Sequence, residues 1–166
     1  MHTRQARIAD IPDIMTIIAH AKERIRRLGI SQWQDGYPNE EAIRADIAHK
    51  EGIVMVEGDA IIAYAAVIFR EEPTYAQIDG RWMSDSPYVV VHRIAVRDGH
   101  TRCGVAKHLM KDVERRAARR HVAYFRIDTH QGNHHMRNLI RGCGFILCGI
   151  VQVRDGKRMA YEKYIG

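Results

Sequence analysis

Apolar residues recur at Ile11, Ile14, Met15, Ile18, Ala21, Ile25 and Leu28, the spacing of one helical face. Asp10 opens that run, Pro12 sits in its first turn and Gly29 closes it, so a helix is predicted there. A short strand is expected before it, over residues 5–8. The polar loop Gln32-Trp33-Gln34-Asp35-Gly36-Tyr37-Pro38 follows, and a second helix is expected over 40–49. Strands over 53–57 and 60–69 are joined by Gly58-Asp59, a hairpin signal. Residues 70–87 read as a long polar connection carrying Tyr75, Trp82 and Met83. A loop of that length in a small domain is usually functional or mobile.

The strongest strand pattern is Tyr-Val-Val-Val-His-Arg-Ile-Ala-Val over residues 88–96. A run apolar on both faces belongs in the middle of a sheet. Beyond a loop over 97–103, a helix is predicted over 104–120, with Val105, Leu109, Val113 and Ala117 facing one way and Lys107, Lys111, Glu114, Arg115 and Arg119 outward. A strand over 124–129, a helix over 133–141 ended by Gly142, and strands over 145–153 and 158–165 complete the chain, the last two joined by Asp155-Gly156. No internal repeat or composition break interrupts this order. The pattern predicts an α/β (α+β) fold in one domain over 1–166, with a mixed central sheet of about seven strands flanked by about four helices.

Composition narrows the class. The 166 residues carry 26 Lys and Arg against 20 Asp and Glu, a net charge of +6, and 46% are hydrophobic, enough to bury a core and to exclude a wholly disordered chain. The longest apolar run, 60–69, has ten residues, half of the roughly 20 a membrane helix needs. The first ten residues, MHTRQARIAD, show no apolar signal stretch, and the three cysteines form no C-x-x-C pair. A cytoplasmic protein with reduced thiols, no membrane partner and no structural metal is therefore expected. The positive charge admits two readings, general affinity for polyanions or a local site for one anionic ligand.

Chemistry concentrates after residues 88–96. Thr101-Arg102-Cys103-Gly104-Val105-Ala106 lies between a buried strand and a helix, where free amides and the helix dipole attract phosphate. Gly104 and Ala106 let a ligand approach the backbone, and Arg102 adds a charge; the alternative is that Gly104 merely starts a helix. The spacing is not that of a dinucleotide fold or a nucleotide-triphosphate loop. His130, His134 and His135 lack a completing ligand set, so no metal site is expected. The Lys and Arg of the predicted helix over 104–120 read as a solvated face, with nucleic acid as the competing reading.

The segments His92-Arg93-Ile94-Ala95-Val96 and Arg102-Cys103-Gly104-Val105-Ala106, five residues apart, resemble the acetyl-CoA signature of the GNAT superfamily of N-acetyltransferases. A second block, Ile127-Asp128-Thr129-His130 with Asn133, Met136, Leu139 and Gly144-Phe145, resembles that family's strand, Asn-initiated helix and Gly-Phe entry to the next strand. With the order of elements, the resemblance spans nearly the whole chain and is nearest to a bacterial subgroup of unassigned substrate.

The resemblance implies that the backbone of Ile94, Ala95 and Val96 pairs with the pantetheine arm of acetyl-CoA. Amides of Thr101, Arg102, Cys103, Gly104, Val105 and Ala106 would hold the pyrophosphate, with Asn133 beside the pantetheine or thioester. Thr101 departs from the family's Gln or Arg, which puts more weight on Arg102. Ile140 stands where many members carry a Tyr that protonates the departing thiolate, so no general acid carries over; Tyr124, Tyr161 and water stay open. His92 is the candidate base, two residues before Ile94, and strand alternation would set His92, Ile94 and Val96 on one face. A hydrogen-bonded sheet histidine is the competing reading. Trp33, Tyr37 and Trp82 are candidates for the acceptor-pocket wall, or else anchors of their loops. The expected activity is acetyl transfer from acetyl-CoA to a primary amine of a small molecule or peptide, in a ternary complex, with no nucleic acid partner. A homodimer is admitted, and a CoA-binding regulatory or scaffolding module without turnover is the alternative.

Overall fold

The isoleucine spacing near the N-terminus produces helix α1 (Ile11–Arg27), which buries Ile11, Ile14, Ile17, Ile18, Ala21 and Ile25. The structure is a computed structural model and describes residues 1–166. In chain order the remaining elements are β1 (His2–Gln5), α2 (Glu40–Ala48), β2 (Gly52–Glu57), β3 (Ala60–Ile68), β4 (Ile78–Gly80), β5 (Tyr88–Val96), α3 (Val105–Arg119), β6 (Tyr124–Thr129), α4 (His134–Gly142), β7 (Ile146–Val153) and β8 (Gly156–Tyr164). Short 3-10 turns occupy Ile8–Asp10 and Pro73–Tyr75. The strands follow one another in the hydrogen-bonded order β1-β2-β3-β5-β6-β8-β7-β4. Pairing of β5 with β6 is parallel, and β1-β2, β2-β3, β4-β7, β6-β8 and β7-β8 are antiparallel. This is the expected mixed α/β sheet with four helices, and it has eight strands rather than about seven.

Contacts divide the chain into two compact units, Met1–Val67 with Val91–Leu109, and Ile68–Val90 with Met110–Gly166. In the first, the isoleucine face of α1 packs with Ala6, Ile43, Val54, Val56, Ile61, Tyr64 and Ala95. Each fully buried isoleucine contributes roughly 1.5–3 kcal/mol of transfer free energy. Asp10 ties the entry to α1, since Arg4 reaches its carboxylate at 2.7 and 2.9 Å and the Arg7 amide donates to it at 2.7 Å. Asn39 caps α2 by accepting from the Ala42 amide at 2.9 Å.

In the second unit Phe125 and Phe145 meet edge to face at 4.9 Å. Arg126 and Glu162 form a buried ion pair, and the Arg126 guanidinium lies 4.1 Å from the Trp82 ring and 3.9 Å from that of Tyr88. Arg126 also donates to the Ser84 carbonyl at 2.6 Å, and Glu162 accepts from the Met83 amide at 2.7 Å. At the β4-β7 crossing Gly80 pairs with Gly149. A Cβ on Gly149 would lie 2.9 Å from the Gly80 Cα, so neither strand has room for a side chain there.

Three expectations change. The first strand is residues 2–5 rather than 5–8, because the chain turns after Arg7 to bring its amide onto Asp10, leaving Ile8 exposed. The connection over 70–87 contains β4, whose three residues are too few to show a period. The final hairpin turns at Arg154-Asp155, one residue earlier than expected, and Gly156 already pairs with Val153 at φ +133°.

Candidate functional site

The candidate site of the first unit begins where β5 departs from regular strand. Arg93 has φ +56°, a left-handed conformation uncommon for a residue with a side chain. Its side chain is 12% exposed and faces an Asp46 carboxylate that is 5% exposed. The guanidinium donates from Nε to Oδ2 at 2.8 Å and from Nη2 to Oδ1 at 2.5 Å, a two-pronged arrangement only arginine can make. Nη1 donates to the Tyr37 hydroxyl at 2.5 Å, and the buried Tyr64 hydroxyl donates to Asp46 Oδ2 at 2.6 Å. Burial alone would push the Arg93 pKa down, but hydrogen bonds and charge from Asp46 outweigh it and hold the guanidinium above its ordinary range. Burial, with the Asp46 charge next, pushes the Tyr64 phenol well above its ordinary value, which keeps it a neutral donor.

Next along the chain, the exit from β5 is pinned by arginines. Arg24 donates to the Val96 carbonyl at 2.6 Å and pairs with Asp98. Arg97 donates from its amide to the Ile62 carbonyl at 2.8 Å, from Nε to the Ile61 carbonyl at 2.7 Å, and from Nη2 to Asp13 at 2.6 Å. The loop then turns through left-handed residues at Gly99 (φ +86°), Arg102 (φ +61°) and Gly104 (φ +78°). The His108 amide bonds to the Gly104 carbonyl at 2.9 Å, and the amides one turn earlier have no partner within the helix. A Cβ on Gly104 would meet nothing within 4 Å. Free amides at the start of α3, an uncrowded Gly104 and the exposed Arg102 fit a phosphate-bearing ligand. His100 adds a buried Nδ1 with no hydrogen-bond partner in the same loop.

His92, Ile94, Ala95, Val96, Thr101, Arg102, Cys103, Gly104, Val105 and Ala106 fall in this unit, together with Trp33 and Tyr37. Within β5, His92 and Ile94 flank the left-handed Arg93. Trp33 packs against the core around α1, and Tyr37 is spent on Arg93. Asn133 and Trp82 fall in the second unit. There Asn133 is buried and caps α4, accepting from the Met136 amide at 3.2 Å. Trp82 donates from Nε1 to the Tyr75 carbonyl at 3.0 Å while its face covers Arg126.

Ile140 is fully buried in the core. Tyr161 is buried, and its hydroxyl accepts from Arg137 Nε at 3.3 Å. His130 uses Nδ1 to accept from the Gly132 amide at 2.9 Å, and burial, aided by Arg158, lowers its pKa. No group of three His, Cys, Asp or Glu side chains gathers as metal ligands. Sequence reasoning missed Asp46 and Tyr64. The available signal was a charged residue, Arg93, inside an otherwise apolar strand, which has to find a buried partner.

Known proteins share this fold. The sequence profile of the Acetyltransferase (GNAT) family matches residues 15–145. A GNAT-family acetyltransferase from Streptococcus agalactiae superimposes with a TM-score of 0.90 at 34% identity, over 98% of this chain and 94% of that one. A proposed acetyltransferase from Staphylococcus aureus MU50 gives 0.77 at 22% identity over 100% of both chains. The Salmonella typhimurium protein yncA, a proposed acetyltransferase whose structure includes its cofactor acetyl-CoA, gives 0.70 at 17% identity, over 100% of this chain and 94% of that one. Among curated proteins none matches.

Proposed function

The chain belongs to the GNAT acetyltransferase family, and on that premise we propose that it moves an acetyl group from acetyl-CoA to a primary amine of a small molecule or peptide, by direct attack in a ternary complex. The observation that carries this reading is the loop between β5 and α3, where left-handed Arg102 and Gly104 lead into the free amides of the helix and nothing crowds Gly104 where a side chain would lie. Those amides and Arg102 would hold the pyrophosphate. The Salmonella structure with acetyl-CoA supports that choice of cosubstrate.

Acetyl-CoA supplies an activated acetyl group as a thioester. The chain's part is to align the two reactants, to offer main-chain donors at residues 94–96 to the carbonyl, and to take the ammonium proton on His92. Asn133 carries over from the family pattern as a residue beside the pantetheine or the thioester, and Trp33, Tyr37 and Trp82 carry over as residues shaping the acceptor side. Their contacts give the three rings a further duty, because each also anchors its own loop. The enzyme is read as one domain over 1–166, acting in the cytoplasm. No helix is long and apolar enough to cross a membrane. The fully buried Ile140 at the family's usual tyrosine position favours a second reading, CoA binding without turnover.

Thiol release from acetyl-CoA across polyamines, amino acids, aminoglycosides and peptide N-termini separates the two readings. Turnover with an amine supports acetyl transfer. Calorimetric cofactor binding without turnover supports the module, and absence of binding refutes both. His92→Ala is expected to lower kcat while leaving cofactor affinity close to unchanged. An unchanged kcat assigns the proton to another group.

A further inference from the structure

The left-handed turn at Arg93 lies inside the nine-residue strand β5. Contact between Cβ and the backbone disfavours that conformation, and it persists only where the surroundings over-determine it. Glycine would adopt it freely. This chain instead places an arginine there and surrounds it with Asp46 from α2, the Tyr37 hydroxyl from the loop before α2, and Tyr64 from β3, which donates to the same carboxylate. Stability alone does not explain the cluster, since a buried ion pair is often no better than apolar residues of the same volume. What the fork and carboxylate do achieve is to fix one backbone conformation at one point.

We propose that Asp46 and Arg93 are positioning residues for acetyl transfer, clamping the left-handed turn at residue 93 so that the main chain of residues 94–96 is held in the orientation the reaction uses. This rests on the acetyltransferase reading above. Neither side chain touches a reacting atom; both act through the backbone next to His92 and Ile94. Tyr37, bonded to the same guanidinium, ties its loop to that point. The clamp is closed at both ends: Arg93 is fixed by the pair, and the Val96 carbonyl by Arg24 at 2.6 Å.

Arg93→Ala and Arg93→Gly test it together. Both delete the guanidinium and leave Asp46 in the same state, but only glycine accepts φ +56° without strain. Each is also made with Asp46→Asn, so that an unpaired buried carboxylate does not prevent folding. Two quantities are read, kcat from thiol release at saturating substrates and amide hydrogen exchange at residues 94–96. The alanine variants are expected to show kcat about tenfold below the glycine variants, with exchange about tenfold faster. A role confined to stability would speed exchange across the whole unit and leave kcat per folded molecule equal in the two, so equal kcat, or exchange at 94–96 no faster than elsewhere in the unit, overturns the proposal. Absence of turnover in the unmodified protein would refute acetyl transfer alone, and the exchange comparison would still decide the clamp.

Discussion

Removing Glu162 is the sharpest test of how the second unit is held together. Its carboxylate is fully buried and paired with Arg126, whose side chain is 6% exposed. Glu162→Ala would leave that guanidinium buried without a counter-charge, a change that typically costs about 3–5 kcal/mol. Arg126 would keep the Ser84 carbonyl and the faces of Trp82 and Tyr88. The Met83 amide would lose its acceptor, which adds to the cost. The expected loss is about 4 kcal/mol, a large part of the roughly 5–15 kcal/mol by which a domain is stable. Urea unfolding followed by tryptophan fluorescence is the assay, because Trp82 lies on the pair. With m near 2 kcal/mol/M the midpoint should fall by about 2 M, and Tm by roughly 8–16 °C. Glu162→Gln keeps an acceptor but not the charge, and should cost about half as much. The double variant Arg126→Met with Glu162→Leu removes both charges and should recover at least about 2 kcal/mol relative to Glu162→Ala. A midpoint shift below about 0.5 M for Glu162→Ala, or a double variant as unstable as the single one, would refute the reasoning.

Gly149→Ala should separate β4 from β7, because the new methyl would press on the Asp79 carbonyl and the Gly80 Cα. A loss of about 2–3 kcal/mol is expected, with faster exchange at the Arg81 amide that bonds to the Cys148 carbonyl at 3.0 Å; unchanged exchange there would contradict it. The acid limb of stability should carry a contribution from Asp10, whose carboxyl is held below its usual pKa by hydrogen bonds from Arg4, against the opposing effect of burial. Because the folded value lies below the unfolded one, this stabilisation is complete above the ordinary carboxyl pKa and disappears as pH falls through the lowered folded value. Asp10→Asn should therefore flatten the urea midpoint between about pH 4 and pH 2, near and below the ordinary value. A limb as steep as before would place the titration elsewhere.

How much could be read from the residues depended on how far each interaction reaches along the chain. Helix α1 was legible because a run of isoleucines at helical spacing and a closing glycine are local signals. The apolar run of β5 and the small residues before α3 were legible for the same reason. Arg93 showed only that some partner had to exist, because Asp46 stands 47 residues away on another element. The left-handed turn at Arg93 was hidden as well, since sequence signals for that conformation are carried by glycine and asparagine rather than arginine. Strand β4 was unreadable because its pairing depends on two glycines meeting, Gly80 and Gly149, in segments far apart in sequence. Trp33 and Trp82 read as pocket walls or loop anchors, and only the fold shows what each packs on, a core for one and a guanidinium for the other.

Most of the cations that tie elements together, at Arg4, Arg24, Arg93, Arg97 and Arg126, are guanidinium groups, with Lys22 on the Pro38 carbonyl and Lys163 on Glu114 as exceptions. The chain has twenty arginines and six lysines. Thioesters acylate amines, and an acetylated lysine loses its charge, whereas a guanidinium stays protonated and is a poor nucleophile at neutral pH. A protein that works beside a reactive acetyl donor thereby rests the ties around Arg93, Arg97 and Arg126 on cations its own reagent does not consume. Stray acetylation would fall on exposed lysines such as Lys107, Lys111 and Lys157, where a lost charge breaks none of the ties around β5.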